Sequence, residues 1–232
     1  MIKAGILCAA DMELEPFLPH IENRKISEKA MLRFHEGTIC GVDAVALFCG
    51  VCKTNAAVAT QILIDTYGVN VVVNAGTAGG IRGDADIFDT VISTEVAHHD
   101  MDQRILTEYH PWMQSVYFKA DEALIELAKK AVERLPLKNK VLFGRTVTGE
   151  KFIDDASRPQ ISLAYEPISV DMETASIAQA CYVNGIPFIA IRSITDNAAH
   201  DGAENFEKNC ALASALSKDI VLELLKEMKQ SC

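Results

Sequence analysis

The chain has 232 residues, 49% hydrophobic and 23% charged, which is ample apolar material for a folded core and too much for a disordered chain. Lys and Arg number 22 against 32 Asp and Glu, a net charge of −10, and this balance argues against non-specific nucleic-acid binding or an anionic membrane surface as partner. The length suits one large α/β domain sooner than two small ones, and a chain of this size buries roughly 70% of its unfolded surface, so the fold needs neither disulfide nor structural metal.

Ile2–Ala10 reads as a first strand. It runs straight into Asp11-Met12-Glu13-Leu14-Glu15, too short and too acidic an arrangement for a signal peptide, and no later run approaches the roughly 18 apolar residues of a membrane span. The cysteines Cys8, Cys40, Cys49, Cys52, Cys181, Cys210 and Cys232 are odd in number without an export signal, which predicts reduced thiols in a cytoplasmic protein. A helix is expected over Glu13–Ile21, shortened or bent by Pro16 and Pro19. Leu32–Ile39 and Val42–Phe48 flank Cys40-Gly41 as a hairpin, and Thr54–Tyr67 has helical spacing up to Gly68. Asn70–Ala75 is a continuous apolar strand of the kind buried on both faces, followed by the glycine turn Gly76–Gly80.

Val91–Ala97 is a further strand, and Asp121–Arg134 an amphipathic helix with Asp at its start and Lys129, Lys130 and Arg134 near its end. Lys140–Gly149 reads as strand and turn, Ile168–Asp171 as a short strand, and Glu173–Tyr182 as a helix stopped by Asn184-Gly185. Pro187–Thr195 is a strand, and Asn205–Lys229 contains the closing helix. The alternation implies a single three-layer α/β domain with a central mixed, largely parallel sheet flanked by helices. Such sheets bind ligands beyond the carboxyl ends of their strands. Those ends carry Asp11, Glu13 and Glu15, then Gly76-Thr77-Ala78-Gly79-Gly80, then Asp171-Met172-Glu173, then Thr195-Asp196. Each carboxylate taken alone is equally a cap or a solvated turn residue. The glycine segment is either a plain tight turn or a place where backbone approaches a ligand, and it lacks the Lys-Ser/Thr of a phosphate-binding P-loop.

Asn74-Ala75-Gly76-Thr77-Ala78-Gly79-Gly80 resembles the N-T-G-S-A-G-G segment of the 5′-methylthioadenosine/S-adenosylhomocysteine nucleosidases, within the nucleoside phosphorylase superfamily. Val170-Asp171-Met172-Glu173-Thr174-Ala175 is similar to that family's V-E-M-E-A-T/A, and Arg192-Ser193-Ile194-Thr195-Asp196 to its R-A-I-S-D. The opening Ile6–Glu13, Gly149-Glu150-Lys151-Phe152-Ile153, His99-Asp100-Met101-Asp102 and Phe118-Lys119-Ala120-Asp121 resemble I-I-G-A-M-E-E-E, G-D-x-F-I, H-D-x-D and F-K-A-D, in the family's order over nearly the whole chain. The resemblance implies hydrolysis of the bond between adenine and a 5′-thio-substituted ribose, without cofactor or metal, in a homodimer whose second subunit helps close the 5′-pocket. Asp196 would be the general acid, with a pKa raised by burial, and Glu13 the ionised base activating water that Arg192 positions. Glu173 would accept from the ribose hydroxyls and Met172 pack on the sugar. Phe152 would stack on adenine, the Ile153 backbone read its edge, and Phe206 and Val51 line the substrate pocket with Ala78, Gly79 and Thr195. Thr77 keeps a hydroxyl near the water.

The chain departs from the family at Ala10 (for Met), Asp171 (for Glu), Thr195 (for Ser), Cys49-Gly50-Val51-Cys52-Lys53 (for S-G-I-G-K) and the stretch Gln103 to Tyr117, which puts the preferred 5′-substituent in question. A phosphorolytic relative is the main rival, but where that branch carries arginines this chain has Ala9-Ala10-Asp11 and Asn74, leaving Arg82 as a loop charge. Cys49 and Cys52 have the spacing of a thiol redox pair, or are simply buried thiols. A metal at His98, His99, Asp100 and Asp102 is disfavoured because neighbouring strand residues face opposite ways. His110-Pro111-Trp112 reads as a loop anchor, and a non-catalytic nucleoside-binding role would have little use for Glu13 together with Asp196.

Overall fold

The computed structural model describes residues 1–110, 113–153, 156–197 and 202–231. Pro111 and Trp112 of the expected loop anchor, and Cys232, lie outside them. The chain opens with β1 (Lys3–Cys8), the short helix α1 (Asp11–Leu14) and a 3-10 helix over Glu15–His20, so the two prolines do interrupt the expected helix. Three strands follow: β2 (Glu22–Lys29), β3 (Leu32–Ile39) and β4 (Val42–Phe48). The β3–β4 turn places Cys40 at φ 51° and Gly41 at φ 75°, the left-handed pair that matches strand twist in a two-residue hairpin.

Next come α2 (Lys53–Tyr67), closed by left-handed Gly68, then β5 (Val71–Gly80), β6 (Thr90–His98), α3 (Gln103–Glu108) and β7 (Phe118–Lys119). Asp121 caps α4 (Glu122–Arg134) by accepting from the Leu124 amide at 3.0 Å. The chain then forms β8 (Val141–Thr148), α5 (Arg158–Tyr165), β9 (Ser169–Asp171), α6 (Thr174–Asn184) ended by left-handed Gly185, β10 (Phe188–Asp196) and α7 (Gly202–Gln230). No helix among the described residues is long and apolar enough to cross a membrane.

The strands run β10-β6-β8-β9-β5-β1-β4-β3-β2 with β7 on β6, and β10 also pairs with β5. The strands β5, β10, β6, β8 and β9 therefore close into a small barrel, and β1, β4, β3 and β2 extend from it as an open wing. The sheet is mixed, as expected: β10–β6, β2–β3, β3–β4, β5–β9 and β6–β7 are antiparallel, and the five parallel pairings are on the whole the longer ones.

Period-two alternation divides the core. From β1, Ala4, Ile6 and Cys8 face a cluster with α4 and α7, while Leu7 faces the other side with α2 and α6. Val71, Val73 and Ala75 against Val72 repeat that division on β5. Helices on both faces leave the carboxyl ends of the strands as the free edge, and the candidate site lies there.

Candidate active site

The segment Gly76–Gly80 is strand rather than turn, the last half of β5. Its pairing explains the difference: β10 runs beside it in parallel from Val72 to Gly79, with Arg192 opposite Gly76 and Asp196 opposite Gly79. Small residues are needed because carboxylates occupy the space where side chains would be. At Gly76, φ is +146° and an added Cβ would fall on the Glu13 carboxylate; at Gly79 it would lie 3.0 Å from Asp196 Oδ2. Gly76→Ala is accordingly expected to displace Glu13 and lower turnover about a hundred-fold, the scale of a roughly 1 Å misplacement, as read in steady-state kinetics.

Glu13 is brought in by α1 and is buried. Its Oε2 accepts from the amides of Ala9 at 2.7 Å and Ala10 at 3.2 Å. Its Oε1 accepts from the amide and the hydroxyl of Thr77, both at 2.8 Å. Four donors converge on one side chain, an arrangement suited to an ionised, acceptor-only carboxylate.

Beside it, the Arg192 guanidinium lies 3.6 Å from Glu13, 3.4 Å from Asp171 and 3.3 Å from Glu173, and donates to the Thr77 carbonyl at 2.6 Å and to Asn74 Oδ1 at 3.2 Å. Burial alone would lower its pKa, but the three acids hold it well above the ordinary value. Asp171 is itself clamped by the Thr148 and Thr174 hydroxyls and the Glu173 and Thr174 amides. Glu173 takes the Cys52 amide at 2.9 Å. Cys52 has φ 85° and ψ 160°, a region natural to glycine, and holding a cysteine there costs about 1–3 kcal/mol so that its N–H can point at Glu173. Burial, offset in part by Arg192 and reinforced by Asp171, pushes Glu173 up to about 7. Three carboxyl groups around one guanidinium thus give this end of the cavity a surplus of acid.

Asp196 ends β10 at the other side of the same cavity. The Thr195 hydroxyl donates to its Oδ1 at 2.9 Å, and burial raises its pKa against the lowering effects of that hydroxyl and of Arg158. Between the two acidic ends, the cavity is walled by Ala78, Gly79, Thr77 and Thr195 from the strands and by Met172. Val51, Phe152, Ile153 and Phe206 complete it, with the Phe152 and Phe206 rings edge to face at 5.9 Å. Every side chain singled out from the sequence for catalysis or substrate contact lines this one cavity. Six residues that were not singled out line it as well: Ala9, Ala10, Val170 and Asp171, and the two cations Lys151 and Arg158. Arg158 stands before Pro159 in a polar stretch and carries no local sign that distinguishes it from a surface charge.

The rival readings meet specific geometry. Burial pushes the Cys49 thiol to about 12 and raises Cys8 and Cys52, the reverse of the depressed pKa that thiol redox chemistry requires. His98 Nε2 is hydrogen-bonded with Gln179 at 2.9 Å, while His99 packs where a Gly149 side chain would be. Arg82 is a solvated charge, paired with Asp84 at 2.5 Å. Asn74 in place of an arginine bridges Arg192 and Thr174.

Taken together, a buried cluster of acid around one arginine, a second acid of raised pKa and an aromatic-lined cavity between them define a nucleoside-cleaving site at the strand ends of a mixed barrel. The model of the Phosphorylase superfamily matches residues 3–226. A 5′-methylthioadenosine/S-adenosylhomocysteine nucleosidase of Exiguobacterium sp. is 37% identical over 99% of this chain and 100% of its own. Among solved structures, the same nucleosidase from Colwellia psychrerythraea 34H, in complex with adenine, is 33% identical with TM-score 0.89, over 97% of this chain and 95% of that one. The Neisseria meningitidis nucleosidase in complex with methylthio-immucillin-A is 31% identical with TM-score 0.89, over 97% and 99%. The chain belongs to the 5′-methylthioadenosine/S-adenosylhomocysteine nucleosidase family of that superfamily.

Proposed function

We propose that the protein hydrolyses the N-glycosidic bond of 5′-methylthioadenosine or S-adenosylhomocysteine, releasing adenine and a 5-thio-substituted ribose. The observation that carries this reading is the pairing of Glu13 and Asp196 in one cavity with opposite environments: the first is surrounded by donors, the second is buried with a raised pKa.

Asp196 gives its proton to an imidazole-ring nitrogen of the purine as the bond to the anomeric carbon breaks, and the bonding pair leaves with adenine. The sugar passes through an oxocarbenium ion. Glu173 and the surplus acid around Arg192 stabilise that cation, and Glu173 accepts from the ribose hydroxyls. Water adds its oxygen to the anomeric carbon and passes its proton to Glu13, as in inverting glycosidases. Phe152 holds the purine by stacking, the Ile153 backbone reads its edge, and Phe206 and Val51 face the 5′-substituent. Two copies pair, and the support is the apolar pair Val51 and Phe152, 45% and 55% exposed at the cavity, surface that a second subunit would cover. A reducing, cytoplasmic setting is supported by the six free cysteines among the described residues.

The test is adenine or hypoxanthine release from methylthioadenosine, S-adenosylhomocysteine, adenosine and inosine, each with and without phosphate. The 5′-thio substrates are expected to turn over at rates indifferent to phosphate. Strict dependence on phosphate would place the protein in the phosphorolytic branch instead.

A further inference from the structure

We infer that Arg158 is a positioning residue for the proton donor, holding the Asp196 carboxyl and strengthening it as an acid. The inference rests on the reading of Asp196 as the group that protonates the purine. Arg158 is the first residue of α5, 7% exposed, and its side chain reaches back to the end of the barrel. Its Nη1 donates to the carbonyl of Gly80, the last residue of β5, at 2.5 Å, which ties the guanidinium to the strand beside β10. Its Nη2 lies 3.6 Å from Asp196 Oδ2, beyond hydrogen-bond range but close enough for a strong Coulomb interaction between two buried groups.

The two oxygens of Asp196 are not equivalent. Oδ1 takes the Thr195 hydroxyl at 2.9 Å, so the transferable proton belongs on Oδ2, the oxygen that faces the guanidinium. A positive charge there disfavours the protonated acid and favours the carboxylate left after the proton moves to the purine. Burial has the opposite and larger effect and raises the pKa of Asp196 above the ordinary carboxylate value. The pair of influences yields an acid that is present before the reaction and stable as its conjugate base after it. Among the described residues, Arg158 is the cation that comes within 4 Å of the Asp196 carboxyl. β5 offers Asp196 only the backbone of Gly79. Lys151 shares the cavity. The Glu13, Asp171, Glu173 and Arg192 cluster is bound up at the sugar end.

Removing the charge therefore changes rate and pH dependence in different directions. Arg158→Gln is expected to lower kcat at pH 7 about ten-fold, because Asp196 becomes a weaker acid. The alkaline limb of the kcat/KM profile is expected to move up by about one pH unit, because the same acid keeps its proton longer. Arg158→Lys, which restores the charge, should return most of both. A residue needed only for packing would reduce activity without moving the limb, so an unmoved limb in Arg158→Gln, or an Arg158→Lys enzyme no better than Arg158→Gln, overturns the inference. Asp196→Asn separates this outcome from failure of the underlying reading. If Asp196→Asn is inactive while the Arg158→Gln limb stays in place, only the role of Arg158 is lost. If Asp196→Asn turns over normally, Asp196 is not the acid and both fall.

Discussion

Asp196→Asn is expected to lower the rate of adenine release about a thousand-fold while adenine itself still binds, the scale contributed by a positioned general acid. The amide keeps a group that can hydrogen-bond the purine but has no proton to surrender to it. The Thr195 hydroxyl that donates to Asp196 Oδ1 finds an amide oxygen equally acceptable, and the burial that raises the pKa of the acid favours a neutral side chain. The variant should therefore fold with unchanged or improved thermal stability, and the loss should lie in kcat. The alkaline limb offers an independent reading. As the proposed general acid, Asp196 acts in its protonated form, so wild-type turnover should fall as pH rises through its raised pKa, and the residual rate of Asp196→Asn should show no such fall. Steady-state rates across pH, with adenine binding by calorimetry, check the prediction.

Glu13→Gln is expected to slow hydrolysis by a factor of about 10²–10⁴, since the water loses its proton acceptor. Here stability should suffer as well. Both oxygens of Glu13 are surrounded by donors: the Ala9 and Ala10 amides on one side, the Thr77 amide and hydroxyl on the other. An amide nitrogen must point at one of these sets, leaving buried N–H groups facing each other, which costs roughly 1–3 kcal/mol. A thermal melt and a turnover assay on the same preparation measure both effects. A Glu13→Gln enzyme of wild-type rate would remove Glu13 from the mechanism.

The contrast between these two carboxyls also marks what could be read from the amino-acid order and what could not. The strand ends that carry Glu13, Glu173 and Asp196 were legible because short apolar runs terminate abruptly in polar residues, whereas Arg192, in the middle of β10, came only from the resemblance of its segment to R-A-I-S-D. The hairpin at Cys40-Gly41 and the helix stops at Gly68 and Gly185 were legible because those positions require left-handed backbone. The segment Gly76–Gly80 was misread as a turn because glycine signals both a turn and a strand that must admit something bulky. Only the pairing with β10 and the carboxylates of Glu13 and Asp196 decide between them. β2 was missed for a different reason. It is an edge strand, mostly exposed and strongly polar, held by its pairing with β3 and not by an apolar face. The antiparallel half of the sheet depends on long-range pairings such as β5 with β9, which no local pattern encodes. Arg158 belongs with these. Its importance lies in where α5 starts relative to β10, a distance that no spacing in the sequence records.

In the proposed mechanism Glu13 and Asp196 act from opposite sides of one carbon–nitrogen bond. The most direct test is the configuration of the sugar at the moment of release, followed by proton NMR with enough enzyme to outrun mutarotation. Water delivered by Glu13 from the face away from the departing adenine must give the α-anomer of the 5-thioribose first, with the β-anomer growing in only as the solution equilibrates. Initial formation of the β-anomer would mean that water arrives on the face adenine leaves, or that a covalent sugar intermediate intervenes, and would contradict the assignment of the two carboxyls.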